Sequence, residues 1–228
     1  MKASEAATSA GPATAGPVPV GDRRSRRRAE TREEILDIAL DLMAEEGVAG
    51  LSLAAVARRL GIRPPSLYKY FPSRHAVYDA LFQRGQEQYR DTVTKAAARA
   101  PEPGLAAIGT AFDAGARWIM GNQTLAQLLF WRTVPKYAPT PQAYAPALQI
   151  RDLMHGLVLA AVERGELHPD AAGPAGLDLL ASLITGPVSQ QLANEPDVPF
   201  EEGRYMPLVA RLPDLFAAAY PPTDAAAR

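Results

Sequence analysis

The sequence predicts an all-α protein, with a short three-helix unit near the N-terminus and a larger helical domain behind it. Two observations carry this. Apolar residues recur at helical spacing in segment after segment, separated by Pro- and Gly-rich breaks, and no stretch alternates in the manner of strands. With 47% apolar residues over 228 positions, the chain is long enough to bury a sizeable core. There is no cysteine, so disulfides, thiolate metal sites and cysteine nucleophiles are excluded.

Residues 1–22 are mostly Ala, Gly, Pro, Ser and Thr and are expected to form a disordered tail, too poor in large apolar groups to offset chain entropy. They also lack the hydrophobic run of a secretory signal, and no segment reaches the roughly 20 apolar residues of a membrane span. A cytoplasmic protein with no membrane partner is the expectation. Net charge is −1 but unevenly spread. Residues 1–100 carry 16 Lys/Arg against 12 Asp/Glu, and residues 101–228 carry 8 against 13. The run RRSRRR at 23–28 sharpens this asymmetry, which points to a polyanionic partner for the N-terminal half. A solvated arm beside an ordinary helix is the plainer reading of the run.

Thr31-Arg-Glu-Glu34 has the form of a capping box and predicts the start of the first helix, continued by Ile35, Ile38, Ala39, Leu42 and Met43 and stopped at Gly47. A second helix starts at Ser52 and ends at Gly61. The third segment opens on Pro64-Pro65, which suits a helix N-terminus: the first N–H groups have no internal partner, and proline presets φ. At about 100° per residue, Pro64, Leu67 and Phe71 share one face and are expected to be buried. Pro65, Ser66 and Lys69 lie opposite, and Tyr68 and Tyr70 flank the stripe. From Ser73 a longer helix runs to the PEPG break at 101–104. Further helices are expected near 104–120, 123–134, 145–165, 170–193 and 203–219, with residues 221–228 disordered.

Two short helices joined by a glycine turn, the second with a rigid polar start, form a helix-turn-helix, whose second helix meets base edges in the major groove. Pro64, Pro65 and the Ser66 methylene offer flat contact to thymine methyls. Arg63 and Lys69 reach guanine or phosphate, and tyrosine hydroxyls donate to phosphate.

Residues 31–82 resemble the DNA-binding domain of TetR-type (TetR/AcrR) transcriptional regulators. The resemblance rests on Ser52, Val56-Ala57, Gly61-Ile62, Leu67-Tyr68-Lys69-Tyr70-Phe71 and Ser73-Arg74. ITGPVSQQL at 184–192 is similar to the penultimate, dimerising helix of many members. Arg74 stands where lysine is usual, Lys69 where histidine or tryptophan is frequent, and the second proline is less common. The resemblance implies a helix-turn-helix DNA-binding domain over 23–74 with a basic N-terminal arm, and an effector-binding and dimerisation domain over 75–220. It implies a homodimer on a palindromic double-stranded operator, usually a repressor released by a small-molecule effector. Ser52, Arg63, Pro64, Pro65, Ser66, Tyr68, Lys69, Tyr70 and Arg74 are the expected DNA-binding residues. Arg23, Arg24, Arg26, Arg27 and Arg28 are expected as a minor-groove arm by analogy with homeodomains.

Candidates for an effector cavity are the aromatic or polar-tipped Phe112, Trp118, Phe130, Trp131, Tyr137, Tyr144 and His155, although aromatics at helical spacing are more often core. Leu180, Leu183, Ile184, Val188, Leu192, Leu208, Leu212 and Leu215 exceed what one inward face needs and are expected at the dimer interface, with Pro187 kinking its helix. His155 and His168 with Glu163 or Glu166 fit no compact zinc spacing, so no metal is expected, nor any cofactor. No phosphate loop, nucleophile elbow or acid/base cluster is present. A helical protein that binds or turns over a small molecule without binding DNA is the alternative.

Overall fold

A computed structural model of the protein describes residues 20–223. The expected disordered tail lies outside the described residues as far as residue 19, and residues 224–228 lie outside them at the other end. Nine α-helices are found among the described residues: α1 (Val20–Glu46), α2 (Leu53–Arg59), α3 (Pro64–Leu67), α4 (Arg74–Ala97), α5 (Leu105–Gly121), α6 (Gln123–Phe130), α7 (Pro141–Glu163), α8 (Pro174–Asn194) and α9 (Leu212–Ala219). No strand occurs among those residues.

The first helix departs from expectation. It begins by Val20, not at Thr31, and passes through the arginine run. No Gly or Pro interrupts it after Gly21, and arginine is a good helix former, so nothing local forces a start at Thr31. The Thr31 hydroxyl instead donates to the Arg27 carbonyl one turn back, at 3.0 Å. Capping does locate other starts. Ser73 Oγ accepts from the Ala76 N–H at 3.2 Å and begins α4, and Thr140 Oγ1 accepts from Ala143 at 3.3 Å ahead of Pro141. The latter sets the start of α7 four residues before the expected 145. The last two segments also differ: a 3₁₀ turn, Pro169–Ala172, precedes α8, and another, Met206–Arg211, precedes the short α9.

Two cores organise the chain. The first joins α1, α2 and α3 to the start of α4 through Ile35, Ala39, Met43, Val56, Leu67, Phe71, Val77, Tyr78 and Leu81, and also takes Leu125 and Leu128 from α6. The second lies among α4, α5, α7, α8 and α9, around Val93, Ile108, Phe112, Val158, Leu180, Val188 and Phe216. Helix α4 belongs to both, so the N-terminal unit's core extends past residue 74 into the linking helix.

Polar contacts fix α4 in place between them. The Arg84 guanidinium holds Asp37 at 2.6 Å and Glu33 at 3.4 Å on α1. Asp79 accepts from the Tyr137 hydroxyl at 2.9 Å and from the Thr140 N–H at 3.2 Å, tying the segment before α7 to α4. The Tyr137 ring also packs 5.4 Å from Tyr78. Tyr137→Phe keeps the ring and removes only the charge-assisted hydrogen bond. A loss of about 1–2 kcal/mol is expected, read as a lower midpoint in urea with an unchanged slope.

Candidate nucleic-acid interface and ligand cavity

Helix α2 is capped at both ends by its own sequence. Ser52 is extended (φ −117°, ψ 119°) and its Oγ accepts from the Ala55 N–H at 3.4 Å. At the other end Gly61 takes φ +74°, the Gly61 N–H meets the Arg58 carbonyl at 3.2 Å, and the Ile62 N–H meets Ala57 at 3.0 Å. This is a Schellman closure, and it needs a residue that tolerates positive φ. Arg63 is then extended (ψ 140°) before the two prolines, and the Ser66 N–H closes onto the Arg63 carbonyl at 2.8 Å.

Helix α3 is a single turn that continues irregularly to Phe71. Leu67 and Phe71 are buried in the first core, whereas Pro64 is exposed and is not part of the buried stripe. A one-turn helix presses only its final turn onto its neighbours, and Pro64 stands before that turn. Ser52, Arg63, Pro65, Lys69 and Arg74 are exposed, and Tyr68 is 53% exposed. Ser66 and Tyr70 are half-buried. Eight of the nine expected contact residues thus lie on α3 and its flanks, with Ser52 at the start of α2.

The arginine run is helical, and part of it faces the end of α3. Arg28 donates to the Lys69 carbonyl at 2.9 Å, and Arg32 donates to the Tyr70 carbonyl at 2.6 Å with its guanidinium 4.2 Å from the Phe71 ring. Two cations therefore close the carbonyl end of α3, where the helix dipole favours them. Arg24, Arg27, Arg28, Thr31, Lys69 and Tyr70 together line a basic cleft of 310 Å³.

A second cavity, of 390 Å³, opens within the rear core. Phe112, Phe130 and Tyr144 are among its lining residues. The other four candidates are not among its walls. Trp118 packs edge-on against Tyr89 at 5.4 Å, Trp131 donates to Ser189 Oγ at 3.2 Å, and Tyr137 is held by Asp79. His155 is half-buried in α7. Gln86, Tyr89, Met154, Arg151 and Asp178 also line the cavity and were not singled out from the sequence. One signal was available: on α4 the buried stripe Tyr78, Phe82, Gln86, Tyr89, Val93 carries a glutamine among apolar and aromatic residues. Burial pushes the Tyr89 phenol up to about 12, so it is neutral and keeps its proton.

His168 Nδ1 accepts from the Asp170 N–H at 3.2 Å, and Glu166 accepts from the Leu105 N–H at 2.8 Å while pairing with Arg164. Among the described residues no three His, Cys, Asp or Glu side chains gather as a metal site. None of the described helices is long and apolar enough to cross a membrane.

The expected dimer residues divide. Leu180, Val188 and Leu212 are buried within the single chain, so their side chains belong to its own core and are not available at a surface. Leu183, Ile184 and Leu192 are half-buried, and Leu208 and Leu215 are exposed. Helix α8 continues through Pro187 as far as Asn194.

Residues 35–81 match the profile described as "Bacterial regulatory proteins, tetR family". The chain is 38% identical over 69 residues to "Uncharacterized HTH-type transcriptional regulator YobS" of Bacillus subtilis, covering 28% of this chain and 36% of that one. It is 28% identical over 154 residues to the HTH-type transcriptional regulator Mb1846 of Mycobacterium bovis, covering 65% and 64%. It therefore spans less than two thirds of these relatives. Its fold is similar to that of a protein of unknown function from Rhodococcus sp. RHA1, with TM-score 0.68, 23% identity, and 83% and 94% of the two chains covered. The capped α2, the Gly61 turn and the proline-led α3 all lie within the matched residues, so the likeness to bacterial regulatory proteins of the tetR family falls on the helix-turn-helix segment.

Proposed function

We propose that this protein is a transcriptional regulator that binds a palindromic operator as a homodimer and leaves it when a small molecule occupies the cavity behind α4. The observation that carries the reading is the split character of α3. Leu67 and Phe71 anchor it, while Arg63, Pro65, Tyr68 and Lys69 stand exposed on a helix too short to stabilise itself. Exposed, rigidly held donors at the start of the second helix of such a pair suit the major groove.

The test separates contact from folding. Tyr68→Phe with Lys69→Ala removes a hydroxyl and an ammonium from exposed positions. Binding to a duplex selected from random sequence should weaken about 30-fold or more, because two contacts of about 1–2 kcal/mol each disappear. The melting temperature should stay within about a degree of wild type. Equal affinity for the selected duplex would remove α3 from the interface.

The arginines of α1 extend the same surface. Arg24 and Arg27 line the cleft that ends at Lys69, so they are placed to meet a phosphate beside the groove. Each neutralised phosphate contributes about 0.9 to the log–log salt dependence. Arg24→Ala with Arg27→Ala is thus expected to flatten the slope by about 1.8, and an unchanged slope would place those arginines away from the duplex.

Ligand release follows from α4 being shared. Val77, Tyr78, Leu81 and Phe82 pack against the DNA-facing helices, and Gln86, Tyr89 and Val93, about one to three turns after Phe82, form cavity wall. A ligand that binds better when α4 is displaced favours a state in which the two recognition helices no longer sit about 34–36 Å apart. Dimerisation itself is supported by the exposed Leu208 and Leu215 and by a shallow groove of small residues on α8, lined by Ala181, Ser182, Thr185, Gly186 and Ser189.

A further inference from the structure

Gln86 is 3% exposed, lies on the cavity wall, and its Oε1 has no hydrogen-bond partner among the described residues. A buried amide oxygen left unpaired costs about 1–3 kcal/mol, and native cores rarely tolerate one without a use for it. Of the three buried α4 residues that line the cavity, Gln86, Tyr89 and Val93, Tyr89 is the other one with a polar group. Space there is limited by design of the backbone contacts. A Cβ on Gly85 would meet Leu125 at 2.9 Å, and one on Gly115 would meet the Tyr89 hydroxyl at 2.6 Å. Glycine at both positions lets α6 and α5 close on α4 and holds Gln86 and Tyr89 in place.

The charges of the cavity lie elsewhere. Arg151 and Asp178 are its charged lining residues, they are of opposite sign, and both are exposed. Nothing buried in the wall would compensate an ion carried inward, and an uncompensated buried charge costs several kcal/mol. The inner wall therefore accepts an apolar body and selects a neutral polar group. The unpaired Gln86 oxygen calls for a hydrogen-bond donor on the ligand.

We infer that the cavity binds a neutral amphiphile whose hydrogen-bonding head, an amide or an alcohol carrying both a donor and an acceptor, pairs with the Gln86 side-chain amide. The apolar body lies against Phe112, Leu129 and Leu180, and the opening is toward Tyr144, Arg151 and Asp178. The volume of 390 Å³ falls at the lower end of the roughly 300–1,000 Å³ typical of small-molecule sites, which fits a compact ligand. This inference rests on the regulator reading only in calling the ligand an effector; the binding chemistry stands on the cavity alone.

The test uses three probes of one chain length on the full chain without DNA: octanamide, N,N-dimethyloctanamide, which lacks the donor, and octanoate, which is charged. Calorimetric titration of wild type should show octanamide binding about tenfold more tightly than either of the others. Gln86→Met conserves volume and removes the amide, so octanamide should fall to within about twofold of the dimethyl analogue. The free variant should also melt at or above the wild-type temperature, since an unsatisfied polar group has been removed. A wild-type preference for octanoate would assign recognition to Arg151 and overturn the inference. So would equal affinities, no binding of any probe, a preference retained in Gln86→Met, or a variant that melts lower, which would show the amide paired within the fold. Release of the selected duplex is scored in a separate titration. Gln86-dependent binding of octanamide that leaves the duplex bound would count against ligand-controlled release and leave the Gln86 assignment standing.

Discussion

Phe71→Ala is expected to destabilise the N-terminal helical unit by about 3–5 kcal/mol, enough to unfold α2 and α3 in much of the population. Phe71 is 1% exposed at the point where α3 ends. Its ring lies under the Arg32 guanidinium at 4.2 Å, and the Phe71 N–H closes the last turn onto the Leu67 carbonyl at 3.1 Å. Truncation removes the apolar burial and the cation–π partner, and it leaves a void among α1, α2 and α4 that a one-turn helix cannot collapse to fill. The rear core has its own set of buried side chains, so loss should be local: amides of residues 52–71 exchange rapidly while those around Val158 and Phe216 remain protected. Duplex binding should vanish with them. Hydrogen exchange read residue by residue checks this, and uniform loss of protection across both cores would show the two packed as one cooperative unit. Phe71→Leu, which refills most of the volume, should restore the majority of the stability.

How much of this was legible in the sequence depends on how local each signal was. Ser52, Gly61, Pro64 and Ser73 act within four residues of themselves, and the elements they begin or end stand where those residues put them. Thr31 shows the limit of the same logic. A capping box is satisfied only if the chain before it is not helical, and here 23–29 are helix formers further anchored by the bonds from Arg28 and Arg32 to carbonyls some forty residues away. That anchoring is tertiary and leaves no mark near Thr31. Residue type alone misjudged the cavity for a related reason. Trp118, Trp131 and Tyr137 are aromatic, but an aromatic stripe does not say whether its far side meets a cavity or another ring. Gln86 was the better clue, because a polar side chain inside a buried stripe must be answered by something. The leucines of α8 and α9 pose the same ambiguity: helical spacing groups them on faces without saying which face the chain's own core takes.

That ambiguity yields the second large effect, a contrast between Val188→Glu and Leu215→Glu. Val188 is fully buried against the chain's own core, so a glutamate there places an unpaired carboxylate among apolar side chains, a cost of several kcal/mol. Val188→Glu is expected to unfold the rear domain outright, and any loss of dimer in that variant would follow from unfolding. Leu215 is 50% exposed, so the single chain should tolerate a glutamate there to within about 0.5 kcal/mol. In a dimer that buries Leu215 against its symmetry mate, two carboxylates would meet across the axis in a desolvated contact and repel each other. Leu215→Glu should therefore keep its circular dichroism and melting behaviour as a monomer, yet lose the dimer at micromolar concentration by light scattering. Operator affinity should fall with it by about 10²–10⁴-fold, because two half-sites held by one dimer benefit from an effective concentration that separate monomers lack. A Leu215→Glu protein that scatters as a dimer and binds the full duplex as tightly as wild type would move the interface off α9, whereas dissociation with folding intact places it there.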